Sequence, residues 1–480
     1  MRRGFVAGAV ASMTLLAIVV VGCSKSDKAQ QTAIGEVVPA GSPMDGVIRF
    51  EFAVYLVGGG SKGPQAALRE EIEKNFKELK LVTEIPSAPS DMVVSVRMER
   101  NVRQKYAPPR LESLNLFGYG LTPEQAQALQ TVREAMILDF AHPKAHVWDG
   151  LRTANELIEK IARDTNGLVW DEETREVFTP DAWSKRRLVS WKDTVPEVAL
   201  QTVVHLYPNG EYDRAISLGM IKMGLPDVFI EAVPKFSGNQ AGNIINLFDQ
   251  LTAEGSSFDG SGRFTLKLQE IKNQRVREER KKALKENSTG VMYLSLKRGA
   301  AEEGDPHNRL IELSAERYDG PDVQAKQDRM IGCFFGWSDA VRGIEHTDEV
   351  LEASRKARGK LPEIHKTFDA GLQPGEYILV KAPFRTIDNS NEWMWVEVIK
   401  WNGKKISGVL ENTPDRVPQL HSGQMVEVDE REVFDYVHRF ADQREEGNTT
   451  GDIIGKLGNE RPIMEKSTLL GQIDPGCTPK

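Results

Sequence analysis

The sequence predicts an α+β fold, with ferredoxin-like (split βαβ) modules in its N-terminal part and a curved antiparallel sheet packed with a helix near its C-terminal end. Three observations predict it. From Val47 to about residue 190, β-rich runs and amphipathic stretches follow the order strand, helix, strand, then strand, helix, strand, which is the split βαβ order. Near the C-terminal end a long helical stretch precedes four β-rich runs separated by turn residues. A composition of 40% hydrophobic and 28% charged residues over 480 positions describes globular material, enough for several domains.

The elements follow in chain order. Arg2 and Arg3 precede an apolar run from Phe5 to Val21 that closes on Gly22 and Cys23, so residues 1–22 read as an export signal. The ending resembles a lipobox. That resemblance implies a diacylglycerol on the Cys23 thiol, cleavage just before it and a mature chain beginning there. Ser24, where aspartate would retain a lipoprotein at the inner membrane, resembles the pattern that sorts to the outer membrane. An uncleaved spanning helix is the alternative reading, since roughly 17–25 apolar residues cross a bilayer, and Arg2-Arg3 also partly matches a twin-arginine signal. Residues 23–46, rich in Ser, Lys, Gln, Gly and Pro, are expected to form a flexible tether.

Residues 47–190 form the expected α+β domain. Val47 to Val57 reads as a strand, and Leu68, Ile72 and Phe76 mark one face of a helix from about Pro64 to Leu79. Met92 to Met98 is a second strand. Thr122-Pro123 with Gln125 carries the signature of a capped helix start. Met136 to Ala141 reads as a strand, residues 150–164 as a helix, and short strands follow around Val169 and Val177.

Residues 191–266 read as a β-rich second module. Three strands lie between Val198 and Val233, and a helix from Gln240 to Leu251 carries Ile244, Ile245, Phe248 and Leu251 on one side. Residues 267–288, with Lys272, Arg275, Arg277 and Glu278 to Lys282, are expected to be a solvated helical spacer between two halves. Residues 289–338 read as connecting strands.

The last unit spans residues 339–456, followed by a flexible tail over 457–480. Its helix, from about Thr347 to Ala370, should break or kink at Gly359 and Pro362. Strands are expected at Tyr377 to Pro383, Trp393 to Trp401, Lys405 to Glu411 and Gln424 to Val428, with Asn402-Gly403 as a hairpin turn. The order Trp393-Met394-Trp395-Val396-Glu397-Val398, Trp401-Asn402-Gly403, Gly408 to Pro414, Gly423-Gln424 and Gly447 to Thr450 resembles the YegJ-like domain of unknown function, family 2314, over roughly residues 350–454. The resemblance implies a fold and a bacterial setting and no activity. A fainter likeness to immunity proteins of bacterial toxin systems implies a protective role.

Several classes are argued against by the residues. A net charge of −8 and a pI near 5.7 offer no basic surface for nucleic acid. Gly58, Gly60 and Gly63 spell a dinucleotide fingerprint, with Glu84 as its acid, and Gly59-Ser61-Gly63 a nucleophile elbow. The strands that follow do not keep the βαβ alternation that either needs, so a flexible turn is expected and no cofactor. His142 and His146 are four apart, but Pro143 lies between them and no carboxylate-rich partner is near, so no metal site is assigned. Cys333 sits in an apolar run and reads as a core thiol. An oxidising compartment permits a bond to Cys477, but that residue lies almost at the chain end between Pro475 and Pro479.

One candidate binding face emerges. By period-two alternation Trp393, Trp395 and Trp401 should share a strand face with Glu397, either packed under the helix or open to sugar rings or a partner loop. The function expected is that of a lipid-anchored envelope protein with a binding or scaffold role, attached to the membrane through Cys23 and facing the periplasm, with an envelope protein or cell-wall glycan as partner. The rivals are an envelope hydrolase with an unrecognised site and an immunity protein.

Overall fold

The computed structural model describes residues 35–453 and Cys477, apart from residues 58–63, 192–193, 211, 235–236, 285–287, 337–346, 374–375, 388–390, 413, 415 and 442–443. Cys23 and the Gly58–Gly63 loop with Ser61 therefore lie outside the described residues. Within them the fold is mixed α+β.

The first module contains β1 (Val47–Tyr55), α1 (Pro64–Asn75), β2 (Leu79–Val82), β3 (Met92–Glu99), β4 (Gly118–Tyr119), β5 (Ala135–Pro143), α2 (Val147–Thr165), β6 (Leu168–Asp171) and β7 (Glu176–Phe178). Its sheet runs β2-β3-β5-β1-β6-β7-β4. The four central strands, β3-β5-β1-β6, pair antiparallel throughout, which is the split βαβ arrangement with α1 and α2 as the crossovers. Both faces are covered, which is why the strands read as nearly continuous apolar runs. Phe50, Phe52 and Val54 pack with Leu68 and Ile72 of α1 and Leu151, Leu157 and Ile158 of α2. Ala53 and Tyr55 face the other way, onto Val102, Leu114 and Leu129 from three short helices. The last of these begins at the foreseen capping box, where Thr122 Oγ1 accepts from Gln125 N and Gln125 Oε1 accepts from Thr122 N.

The second module holds β8 (Val203–Asn209), β9 (Tyr212–Leu218), β10 (Asp227–Val233), α3 (Gly238–Ala253), β11 (Arg263–Lys267), α4 (Gln274–Lys282), β12 (Val291–Arg298), β13 (Leu310–Ser314) and α5 (Val323–Phe335). One sheet, β11-β12-β13-β10-β9-β8, joins them all. This corrects the expected spacer: β11 before the charged run pairs with β12 after it, so the strands on either side of the run belong to one sheet. The reason is the apolar punctuation of the run. Leu268, Ile271 and Val276 are buried in the same core as Met292 and Leu294, while Arg275, Glu278, Glu279, Lys281 and Lys282 of α4 are exposed and Arg280 reaches Asn243 of α3.

The tether is also corrected from Gly35 onward. Gly35 N donates to Arg298 O, Arg298 N to Glu36 O, and Gly41 exchanges both backbone hydrogen bonds with Phe258. Val38 enters the module's core. The tail is corrected at Cys477, which is disulfide-bonded to Cys333 with the Cα atoms 5.5 Å apart. Cys333 is buried as expected, but as half of a cystine.

The third module contains α6 (Asp348–Ala370), β14 (Tyr377–Arg385), β15 (Asn391–Asn402), β16 (Lys405–Leu410), β17 (Met425–Asp429), β18 (Asp435–Arg439) and β19 (Glu445–Gly447). The sheet order is β17-β16-β15-β14-β18-β19, antiparallel throughout. The Asn402-Gly403 signal marks the β15–β16 hairpin, with Asn402 opposite Lys405 and Gly403 at φ 58°. α6 is not broken: it continues through Gly359 and the exposed Pro362 and lays Ala357, Leu361 and Ile364 on the sheet.

Candidate functional site

The tryptophan strand departs from strict alternation. Val398 pairs with Gly408 and Lys400 with Ser407, so Ile399 is an extra residue on β15, a β-bulge. One added residue exchanges the two faces beyond it. Met394, Val396 and Val398 point into the core under α6, and so, after the bulge, does Trp401. Its ring stacks on His365 with centroids 4.5 Å apart, and its indole N–H donates to Glu430 Oε2 at 3.0 Å. Trp393, Trp395 and Glu397 occupy the opposite face. The expected set of four is thus three plus one core tryptophan.

On that opposite face Trp393 meets Phe434 at 4.5 Å and the Lys381 ammonium stands 5.6 Å from the Trp395 ring. Lys381 lies between Trp395 and Asp435 in the register. Burial holds its pKa below the usual lysine range, with Asp435 opposing. Asp435 itself accepts from Thr450 N and Oγ1 at 2.8 and 2.6 Å. Glu397 is buried, and burial pushes Glu411 up to about 7, Glu445 adding to it. This face is a packed row of charges and rings.

His146 stands at the N-cap of α2, near enough for its charge to disfavour a charged His142. His142 is a core residue of β5, its ring against Phe50 and so close to α2 that a Cβ at Gly150 would lie 2.3 Å from it. Burial pushes its pKa down to about 4, so it is neutral at physiological pH.

Sequence reading missed a second place altogether. After β7, Thr179 caps a short helix, Pro180–Trp183, that continues into a π-turn over Ser184–Leu188. The wider π-turn splits three consecutive cations between interior and surface. Arg187 is fully buried: its Nη2 donates to Asp171 Oδ2 at 2.8 Å and Glu176 Oε2 at 2.7 Å, and its Nη1 to Leu200 O at 2.6 Å. Lys222 of the second module, equally buried, donates to the same Asp171 oxygen at 2.5 Å. Two carboxylates thus face two cations across the junction of the first two modules. Burial alone would raise Asp171, but Lys222 and Arg187 overcome it and hold it below the usual carboxylate range. Burial pushes Lys222 down to about 8 against the pull of Asp171.

Lys185 and Arg186 turn outward and, with Tyr119, Gly120, Thr179, Asp181, Ala182 and Leu200, line a groove of about 620 Å³. The Arg186 guanidinium lies 4.9 Å from the centre of the Tyr119 ring, which stacks in turn on Phe178 at 4.9 Å. Burial pushes the Tyr119 phenol up to about 12, with Glu176 adding to it. Gly120, at φ 75°, is held by space as well, since a Cβ would come within 2.6 Å of Thr179 Oγ1. The only signal in the sequence was the run Lys185-Arg186-Arg187, which looks like any solvated charge cluster.

Among the described residues no helix is long and apolar enough to cross a membrane. No curated protein and no solved structure matches the chain. Residues 349–465, the region of α6 and the third sheet, match the model of a family described as an uncharacterized protein conserved in bacteria (DUF2314), as the resemblance of the tryptophan strand and the Gly-Asn-Thr-Thr segment implied.

Proposed function

We propose that this is a lipid-anchored binding or scaffold protein of the bacterial envelope, attached through Cys23 and folded in an oxidising compartment facing the periplasm. The observation that carries the reading is the Cys333–Cys477 bond. Disulfides persist in exported proteins and are rare where thiols are kept reduced, and with Cys23 acylated these are the remaining cysteines of the chain. The docked segment beginning at Gly35 agrees with a short attachment: residues 24–34, even fully extended, reach no more than about 40 Å from the lipid. The body would therefore work close to the membrane that holds it.

Metabolic labelling with a palmitate analogue tests the anchor. The wild type should take the label and sediment with membranes, whereas Cys23→Ser should remain unlabelled. Equal labelling of the two forms would overturn the reading.

A further inference from the structure

We propose that the groove beside the π-turn is a binding site for the oxyanion, carboxylate or phosphate, of a small acidic ligand, with Arg186 as its principal partner and Lys185 as a second cation. The buried quartet beneath the groove is balanced, Asp171 and Glu176 against Arg187 and Lys222. Asp181, the acid at the rim, is already paired with Arg163 at 2.7 Å. Two positive charges remain at the surface. Lys185 is exposed and forms no ion pair among the described residues. Arg186 has only a 3.7 Å contact with Glu176 Oε1 and its place over Tyr119, and its Nε, shielded from water, has no hydrogen-bond partner.

Such an arginine is unusual, because a shielded guanidinium donor left unsatisfied is costly. An oxyanion, carboxylate or phosphate, is the group that matches its remaining donors. The site is also built. The position of Arg186 is set by its neighbour: Arg187 is clamped by two carboxylates and a carbonyl, so the π-turn cannot relax without burying an unpaired charge. Tyr119, rigid on Phe178, provides the floor, and Leu200 an apolar wall. The volume lies in the range of small-ligand pockets, roughly 300–1,000 Å³, so the ligand is a small molecule or the acidic end of a chain.

The test uses the full chain in nonionic detergent, titrated by calorimetry and thermal shift with inorganic phosphate and, separately, acetate, at millimolar concentrations. At least one should bind saturably and raise the melting temperature. Saturation by phosphate alone assigns a phosphoryl ligand, and by acetate alone a carboxylate. Arg186→Gln should weaken binding about tenfold or more, the loss of a charge-assisted hydrogen bond, while leaving ligand-free melting unchanged. Lys185→Gln should weaken it less and reduce its salt dependence. No saturable binding of either anion by the wild type, or equal binding by Arg186→Gln, would overturn the site. Binding is measured in solution, so its failure would leave the lipid-anchor reading standing, and failure of the anchor would leave the groove intact.

Discussion

Trp395 and Trp401 lie on one strand, yet their substitution should have different consequences. Trp401 is 4% exposed and wedged between α6 and the sheet, so Trp401→Ala should destabilise the third module by about 3–5 kcal/mol. Trp395, half-buried on the other face beside Lys381, should cost about 1–2 kcal/mol when truncated, nearer the middle of the range for single substitutions. Urea titrations of the two variants decide it, and equal losses would mean that the bulge does not separate the faces. A second residue reports on pH. Asp249 of α3 is fully buried, and burial, reinforced by Asp227, raises its pKa well above the ordinary value. Asp227 is itself pushed up to about 7 by burial. A carboxyl whose folded pKa exceeds its unfolded one binds more protons in the folded state, so its stabilising share is complete below about pH 4 and is lost as pH rises towards the folded value. Asp249→Asn should therefore be more stable than the wild type at pH 7.5, and the gain should shrink on acidification. Urea melts at pH 4.5 and 7.5 that show the same difference would refute the assignment.

At the scale of elements, what was legible in the sequence had a local cause. The split βαβ order, the Thr122 capping box and the Asn402-Gly403 hairpin are each written within a few residues, and each has its counterpart in the fold. What was not legible depends on partners distant in the chain. The charged run around α4 looks like a spacer until β11 and β12 pair across it. Residues 35–46 have no apolar periodicity, and what orders them is backbone hydrogen bonding to Arg298 and Phe258 far along the chain. A helix of 23 residues carries Pro362 because that residue is exposed while Leu361 and Ile364 beside it are buried, so packing on one face outweighs the lost hydrogen bond. The bulge at Ile399 is a single residue with no turn signature, and it alone moved Trp401 from the proposed face to the core. The groove was hidden for the same reason: Lys185-Arg186-Arg187 becomes informative only once Asp171 and Glu176 take Arg187 inside.

For the whole molecule, the disulfide is the constraint with the longest reach. The first two modules meet through apolar packing, Met220, Met223 and Leu225 entering the core of the first, and through polar contacts, Lys222 with Asp171 and Arg175 with the carbonyls of Gly304 and Asp305. The second and third meet through Tyr212 with Gly423 O at 2.8 Å and His421 with Asp322 at 2.8 Å. Cys333 lies on α5 before the third module and Cys477 beyond it, 144 residues further on, so the bond encloses that module in a covalent loop. Closing so long a loop restricts mainly the unfolded chain, and the entropic model sets its worth at up to about 5 kcal/mol. Cys477→Ser should therefore lower the stability of the third module and, because Cys333 and Cys477 are both buried in the core of the second, of that module too, while leaving the first nearly unchanged. Cys333, 1% exposed, should then carry a thiol that resists alkylation until the protein is unfolded. Protein taken from cells with free thiols blocked should run faster on a gel without reductant than with it, because the closed loop keeps the denatured chain compact. Identical mobility in both lanes would mean that the bond does not form in the cell, and the oxidising compartment inferred from it would lose its support.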